Sequence, residues 1–365
     1  LKQLRTGVVG LGFIGRQHID ALRRLPYARL TGVCDQDENA SQAVSAQWGI
    51  PAFHDWKAMI DSGEIDAVHN CTPNSLHDEI NEYAIAKRLH VYSEKPLSVT
   101  AEGALRLQRN AEAAGVCAAV NYNYRHNAMA HEMRARLCDA GRPLIVRGEY
   151  LQDWLLKDTD FNWRVETRDG QSRAVADIGT HWMDLAEWML GQPIVALRAS
   201  LGVAHPTRVA PGGQRVPVRT EDFGFLELKF RGGVPGILIL SQVSAGHKNG
   251  LGIAIDCEEA SLEWHQEEAD RLRISRRGGI ETLYADPAIL CGNARPLATL
   301  PAGHAVAWAD ALRNAIGLFY QSILSGSFHE GKVDFATFAD GARQMRLIEA
   351  ALQSNKSGQW VEPIL

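Results

Sequence analysis

The segment GVVGLGFIG places Gly10, Gly12 and Gly15 in GxGxxG spacing directly after a β-rich run, with Phe13 and Ile14 in the turn. Gly10 permits a tight turn, Gly12 lets the backbone approach a pyrophosphate, and Gly15 lets helix and strand pack closely. The helix that starts here offers free amides and the positive end of its dipole to an anion. Asp35 follows twenty residues after Gly15, at the end of LTGVCD. A carboxylate there accepts hydrogen bonds from ribose hydroxyls and repels a 2′-phosphate, and Gln36, Asp37 and Glu38 bring no arginine to offset that repulsion. The expected cofactor is therefore NAD(H) rather than NADP(H). The plain alternative for Asp35 is an N-cap of the next helix.

Two further runs place polar groups at strand ends, where a dinucleotide would lie. CTPNSLH contributes Cys71, Thr72, Asn74 and His77, and SEKP contributes Ser93, Glu94, Lys95 and Pro96. An isolated Lys–Pro is usually a solvated turn. At the carboxyl end of a central strand, partial burial and a neighbouring nicotinamide would disfavour the charged form of Lys95. That would suit it to proton exchange with a hydroxyl. The second candidate region is ADIGTHWMDLAEWMLG. Asp177 is placed to cap a helix, with His181 in its first turn, where the dipole keeps an imidazole neutral and able to take a proton. His181, Asp184, Leu185 and Trp188 share a face by their spacing. Read alone, His181 is better explained by a core or capping role. Asp177, His181 and Asp184 lack a second ligand cluster, so no metal is expected.

These groups need a scaffold, and its rhythm is legible. From Arg5 to Tyr122, short apolar runs alternate with amphipathic stretches, the pattern of a parallel sheet covered by helices on both faces. After Tyr122 come a helix closed by Gly141, the strand LIVRGEYL, a tryptophan-bearing loop and the helix from His181 to Leu190. Successive strands from Ile194 to Leu283, without intervening helices, favour an antiparallel sheet, and two long helical patterns finish the chain. The expectation is an α/β protein: an N-terminal Rossmann domain over 1–122 and a C-terminal α/β domain over 123–365. The C-terminal helices are free to pack back on the Rossmann domain. The Pro, Gly and Arg-rich segment from His205 to Arg219 reads as a mobile loop, with a linker or interface arm as alternatives.

Composition narrows the function. The chain has 365 residues, 45% apolar and 22% charged, with 38 basic against 43 acidic residues. That balance argues against general affinity for nucleic acid or an anionic membrane. No apolar run reaches the length of a membrane span, and a strand beginning near residue 1 leaves no room for a signal peptide, so a cytoplasmic location is expected. The six cysteines form no CxxC pair and read as buried thiols.

GLGFIG, CTPNSLH, SEKP, NYNYR and DIGTHWMD, in this order, resemble the glucose–fructose oxidoreductase, inositol dehydrogenase and rhizopine catabolism (Gfo/Idh/MocA) family, and the ending GQWVEPI is similar to its final strand. The resemblance spans nearly the whole chain. It implies a Rossmann domain joined to an α/β domain with a large open, mostly antiparallel sheet, acting on sugars, polyols and related hydroxy compounds. It also implies that Lys95 holds the reacting oxygen and takes part in proton transfer, that His181 is an acid/base group, and that Asp177 orients substrate. Asn123 and Arg125 would lie near nicotinamide and substrate, and Trp163 and Arg164 match a Trp–Arg pair of sugar-reducing members. In VNYNYRH the chain departs from the family: Asn121 replaces a usual glycine, Tyr124 an arginine and His126 an aromatic residue. That leaves the substrate class open. An NAD-using glycosidase and a non-catalytic sugar or dinucleotide sensor are the alternatives to a dehydrogenase, and an open sheet face implies a homodimer or homotetramer.

Overall fold

The computed structural model describes residues 2–165, 171–331 and 333–363. The chain divides into two compact units, Leu1–Asn123 with Ala309–Met345, and Tyr124–Trp308 with Arg346–Leu365.

The first unit opens with β1 (Leu4–Val9), α1 (Phe13–Arg23), β2 (Ala28–Cys34), α2 (Glu38–Trp48) and α3 (Trp56–Asp61). β3 (Ala67–Asn70), α4 (His77–Ala86), β4 (His90–Ser93), α5 (Ala101–Ala114) and β5 (Ala118–Val120) follow. The five strands form one parallel sheet in the order β2-β1-β3-β4-β5. All four residues of β3 are buried, as expected for a strand covered on both faces. Helix boundaries follow local chemistry. Asp37, Asp55 and Thr100 each cap a helix start by accepting a backbone N–H, and Gly49 and Gly115 end helices with φ of +65°. Strand order reverses between β1 and β3, so a ligand belongs beyond their carboxyl ends, where both the glycine turn and CTPNSLH lie.

The second unit contains α6 (Ala128–Arg136), β6 (Pro143–Leu151), α7 (Thr180–Leu190), β7 (Ile194–Gly202) and a two-stranded hairpin of β8 (Thr207–Val209) and β9 (Arg215–Pro217). It continues through β10 (Phe223–Phe230), β11 (Pro235–Ser241), β12 (Gly250–Cys257), β13 (Ser261–His265), β14 (Arg271–Arg276) and β15 (Gly279–Tyr284). Eight of these strands build a sheet in the order β15-β14-β13-β12-β6-β11-β10-β7, antiparallel except where β11 meets β6. α8 (Trp308–Ser325) and α9 (Phe338–Ser357) complete the chain. The Rossmann sheet and the large, mostly antiparallel sheet are as the sequence implies. α7 packs hard against the sheet because Gly148 has no side chain. A Cβ there would lie 2.3 Å from Trp182 Nε1, which donates to the Gly252 carbonyl at 2.8 Å.

Two readings need correction. The segment 205–219 is not a loose loop: its β8–β9 hairpin is pinned by Arg208, whose guanidinium is fully buried. Arg208 donates to the carbonyls of Lys157 and Asp160 and to Asp222 at 2.7 Å, while Val218 packs with Leu155 and Val165. Glycine and proline there hid both the short strands and the anchor. Cys138, expected in a core, is exposed in a short 3-10 turn.

Asp222 joins Arg208 and Arg173, all three buried. Burial pushes the Asp222 carboxyl up, but the two guanidiniums outweigh it and hold the group below its ordinary range. Its stabilising contribution is therefore complete above about pH 4 and lost as pH falls through the depressed folded-state value. Asp222→Ala leaves two buried cations without their carboxylate and should destabilise the fold by about 3–5 kcal/mol in urea denaturation. A loss below 1 kcal/mol would show the cluster to be incidental.

Candidate active site

The glycine turn is shaped by what would not fit. Gly10 has φ +88°, and a Cβ on it would lie 2.6 Å from the Cys71 carbonyl oxygen. A Cβ on Gly15 would lie 1.8 Å from the Gly10 carbonyl oxygen. Among the described residues, a Cβ at Gly12 would meet nothing within 4 Å, and no side chain caps the start of α1. Open space above uncapped amides suits a pyrophosphate. Phe13 is largely exposed and Ile14 half-buried in the same turn. Asp35 is not a helix cap, because Asp37 fills that role for α2. Asp35 Oδ2 instead accepts from the Leu11 N–H at 2.6 Å and Oδ1 from the Asp37 N–H at 2.9 Å, which holds the carboxylate beside the glycine turn.

Beyond β3, Cys71 is buried against the glycine turn and Thr72 donates its hydroxyl to Asn70 Oδ1 at 2.7 Å. Asn74 opens the short 3-10 turn that leads into α4. His77 is fully buried, with Nδ1 2.7 Å from the Pro96 carbonyl and Nε2 3.0 Å from that of Thr72. Its ring therefore ties two loops together, and burial pushes it below the ordinary histidine range despite those carbonyls. That geometry makes it a positioning residue rather than the direct cofactor contact expected from the motif. Glu94 is likewise turned inward. Its carboxylate accepts from Asn121 Nδ2 at 2.6 Å and the Lys95 N–H at 3.2 Å, and lies 3.0 Å from His18 Nε2. Burial raises this carboxyl, but His18, Lys95 and Asn121 outweigh burial and bring it to about 2. Lys95 is half-buried at the following position. Asn123 is buried at the end of the same unit, and its Nδ2 has no hydrogen-bond partner among the described residues. A buried orphan donor, an open glycine cradle and a fixed carboxylate together fit a dinucleotide.

In the second unit, the helix that carries Asp177 and His181 starts earlier than expected. Val175–Gly179 forms a π turn that runs directly into α7. Asp177 thus sits inside the helix and does not cap it. The capping carboxylate is Glu221, which accepts from the Arg173 and Val175 N–H groups at 3.0 and 2.9 Å and from the Ser172 hydroxyl at 2.6 Å. His181 consequently lies beyond the first turn, and the dipole argument for it falls. Its buried ring meets Tyr124 edge-on, with centroids 4.8 Å apart, and Tyr150 at 6.3 Å. The hydroxyls of Tyr124 and Tyr150 lie 2.8 Å apart and donate to Asn249 Oδ1 at 3.1 and 2.5 Å.

Asp177 accepts from Gln242 Nε2 at 2.9 Å and lies 3.7 Å from Arg164 Nε. Arg125 forks through Nε and Nη2 onto the carboxylate of Asp184, and both are buried. The guanidinium is thus spent largely on an internal ion pair. The side chain of Trp163 lies outside the described residues. Asp153 binds Lys248 Nζ at 2.6 Å and the Gly246 N–H at 3.1 Å, tying its loop to the one between β11 and β12, while Gln152 accepts from Trp154 Nε1 at 2.8 Å within its own loop. Tyr150, Gln242, Asn249 and Glu221 were not visible in the sequence, because no motif or local spacing links them to His181 or Asp177. Among the described residues no cluster of histidine, cysteine or carboxylate could hold a metal, and no helix is long and apolar enough to cross a membrane.

A GxGxxG turn at the switch point of a parallel sheet, with a carboxylate held beside it, is the arrangement of an NAD-binding oxidoreductase. Residues 4–122 match the model of an oxidoreductase family with an NAD-binding Rossmann fold, and residues 137–263 match the GFO/IDH/MocA C-terminal domain. The chain belongs to the Gfo/Idh/MocA family of oxidoreductases, which act on hydroxylated small molecules, and its cofactor is NAD. Levoglucosan dehydrogenase of Pseudarthrobacter phenanthrenivorans is 25% identical, with 99% of this chain and 98% of that protein covered. A solved levoglucosan dehydrogenase in complex with NADH and levoglucosan superposes with a TM-score of 0.92 at 25% identity, covering all of both chains. An inositol dehydrogenase homolog from Azotobacter vinelandii, complexed with NADH and myo-inositol, gives 0.88 at 26% identity, covering 99% and 98% of the two chains.

Asp35→Ala should weaken NADH binding about ten- to a hundredfold, the worth of a hydrogen bond to a charged group. The Leu11 anchor is lost for either cofactor, so the diagnostic quantity is the NADH to NADPH affinity ratio, measured by fluorescence titration. That ratio should collapse. An unchanged ratio would leave Asp35 as an anchor of the glycine turn only.

Proposed function

We propose that this chain is an NAD-dependent dehydrogenase of a neutral, polyhydroxylated ring, a sugar or polyol. The observation that carries the substrate class is the pairing of charge in the second unit: Arg164 faces Asp177 and Arg125 is locked to Asp184. A carboxylate substrate would find both cations already balanced, whereas hydroxyls find acceptors and donors side by side. Levoglucosan, for which one relative is named, and myo-inositol, bound in the structure of another, are of this kind. A tryptophan face such as that of Trp163 would lie against the apolar side of a ring.

When bound, NAD supplies the hydride acceptor or donor. Gly10, Gly12, Phe13, Ile14, Gly15 and Asp35 would hold its pyrophosphate and adenosine ribose, with Cys71, Thr72, Asn74 and Asn123 beyond the later strands and Glu94 and His77 fixing those loops. Lys95 holds the reacting oxygen and stabilises charge that builds on it. Either Lys95 or His181 takes the hydroxyl proton during oxidation and returns it in reduction. Asp177, oriented by Gln242 and Arg164, accepts from a neighbouring hydroxyl.

The deciding experiment is a panel of neutral sugars and polyols, their uronic acids and simple 2-hydroxy acids with NAD, followed by nicotinamide absorbance. Neutral rings should give the highest kcat/KM, and preference for either acid would overturn the substrate class. Product release with no net NADH would indicate a glycosidase that oxidises transiently, and no turnover at all a sensor. Lys95→Met and His181→Ala should each lower kcat about 10²–10⁴-fold with little change in NAD affinity. Near-normal turnover would remove that residue from the mechanism.

The same reading includes a homodimer or homotetramer. On β10 and β11, Phe225, Ile237 and Ile239 are exposed, with Phe225 directly opposite Ile239. A second copy covering this face would bury them. Light scattering should show an oligomer that Ile237→Glu shifts towards monomer, and a monomeric native protein would refute it.

A further inference from the structure

The proposed chemistry makes no use of the polar side chains buried around Glu94. His18 of α1, His69 of β3 and Tyr320 of α8 are fully buried and form one continuous row with it. His18 Nε2 lies 3.0 Å from Glu94 Oε1, and its Nδ1 lies 2.8 Å from His69 Nδ1. His69 Nε2 is 3.0 Å from the Tyr320 hydroxyl, which is 2.7 Å from Thr6 Oγ1, and Thr6 donates to the Leu4 carbonyl at 3.3 Å.

Two nitrogens of the same kind face one another in this row, so one of them must donate and the other accept. If His18 carries protons on both nitrogens, it donates to Glu94 and to His69 Nδ1. His69 then holds its single proton on Nε2 and donates to Tyr320, Tyr320 donates to Thr6, and Thr6 donates to Leu4. Every bond in the row is made. If His18 is neutral, with its proton towards Glu94, the links from His69 to Thr6 all reverse. His69 becomes the Nδ1–H tautomer, Thr6 turns to Tyr320, and the Leu4 bond is lost. The two arrangements differ by one proton.

The surroundings choose between them. The groups facing His18 and Glu94 are His69 and Cys71 from β3 and its end, Tyr92 from β4, His77 from α4, Tyr320 from α8, and Lys95. Burial drives Cys71, Tyr92 and Tyr320 towards their protonated neutral forms and His69 and His77 towards their deprotonated neutral forms. His18 Nε2 lies within ion-pair reach of Glu94 Oε1 at 3.0 Å, and a buried carboxylate is tolerated only when it is paired and hydrogen-bonded.

We propose that His18 is held as an imidazolium on Glu94 and is the positioning residue of the Glu94–Lys95 turn. The pair keeps the Glu94 carboxylate on the Lys95 N–H and on Asn121, and the imidazolium offsets the negative charge that Glu94 exerts on the Lys95 ammonium. Lys95 can then release its proton more readily. The last point rests on the reading of Lys95 as a proton-transfer group; the ion pair itself does not.

Nitrogen-15 NMR of histidine-labelled, cofactor-free protein at pH 7.5 tests the pair directly. His18 should appear protonated on both nitrogens and His69 as the Nε2–H tautomer. A neutral His18 with His69 as the Nδ1–H tautomer would overturn the proposal. In kinetics, His18→Asn should move the acidic limb of the kcat profile up by about one pH unit, a tenfold loss of turnover on that limb. NAD affinity should change little, and adding Glu94→Gln should move the limb back. A fall in kcat that is equal at every pH would refute the coupling to Lys95. If Lys95→Met turns over normally while the imidazolium is seen, the acid/base assignment fails and the ion pair stands.

Discussion

No atom larger than hydrogen fits between the start of α1 and the end of β1. The Cβ that any other residue would bring to position 15 would sit 1.8 Å from the Gly10 carbonyl oxygen, and one at position 10 would collide with the Cys71 backbone. This close approach sets where α1 lies on the sheet and brings the ends of β1 and β3 together at the point where strand order reverses. Asp35 then anchors the turn from a third side through the Leu11 N–H. The cradle for an anion is therefore a consequence of backbone packing, made before any ligand arrives.

In the second unit a comparable burden falls on two adjacent carboxylates with opposite electrostatics. Glu221 is buried and pushed up, offset by the hydrogen bonds it accepts from Ser172 and from the first amides of the helix carrying Asp177 and His181. Asp222, beside it, is held down by Arg173 and Arg208. One residue starts the helix, and the other ties the same segment to the hairpin at 207–217 and to the loop at 157–160. The π turn that follows displaces Asp177 from a cap into the body of the helix, a kind of irregularity that recurs at functional sites.

The fold was largely legible. Alternation of short apolar runs with helices showed the parallel sheet, and uninterrupted strands showed the large antiparallel one, because both signals are periodic and local. Errors fell where a local rule met a distant partner. Asp177 reads as an N-cap by position, yet the helical turn begins before it, where Glu221, more than forty residues on, accepts from the Arg173 and Val175 N–H groups. The stretch 205–219 reads as loose by composition, yet one buried arginine orders it.

What the sequence determined by itself is the nucleotide-binding turn, the carboxylate at Asp35, the order of elements and the family. Each depends on residue types at fixed short spacings. Only the tertiary structure decided which candidates are free to act outward and which are consumed inside. It turned His77 to two backbone carbonyls, joined Arg125 to Asp184 across 59 residues and brought Tyr320 to Thr6 across 314. Hydrogen-bond partners and burial set the protonation state of a side chain, and both are contributed by segments whose distance along the chain carries no local signature.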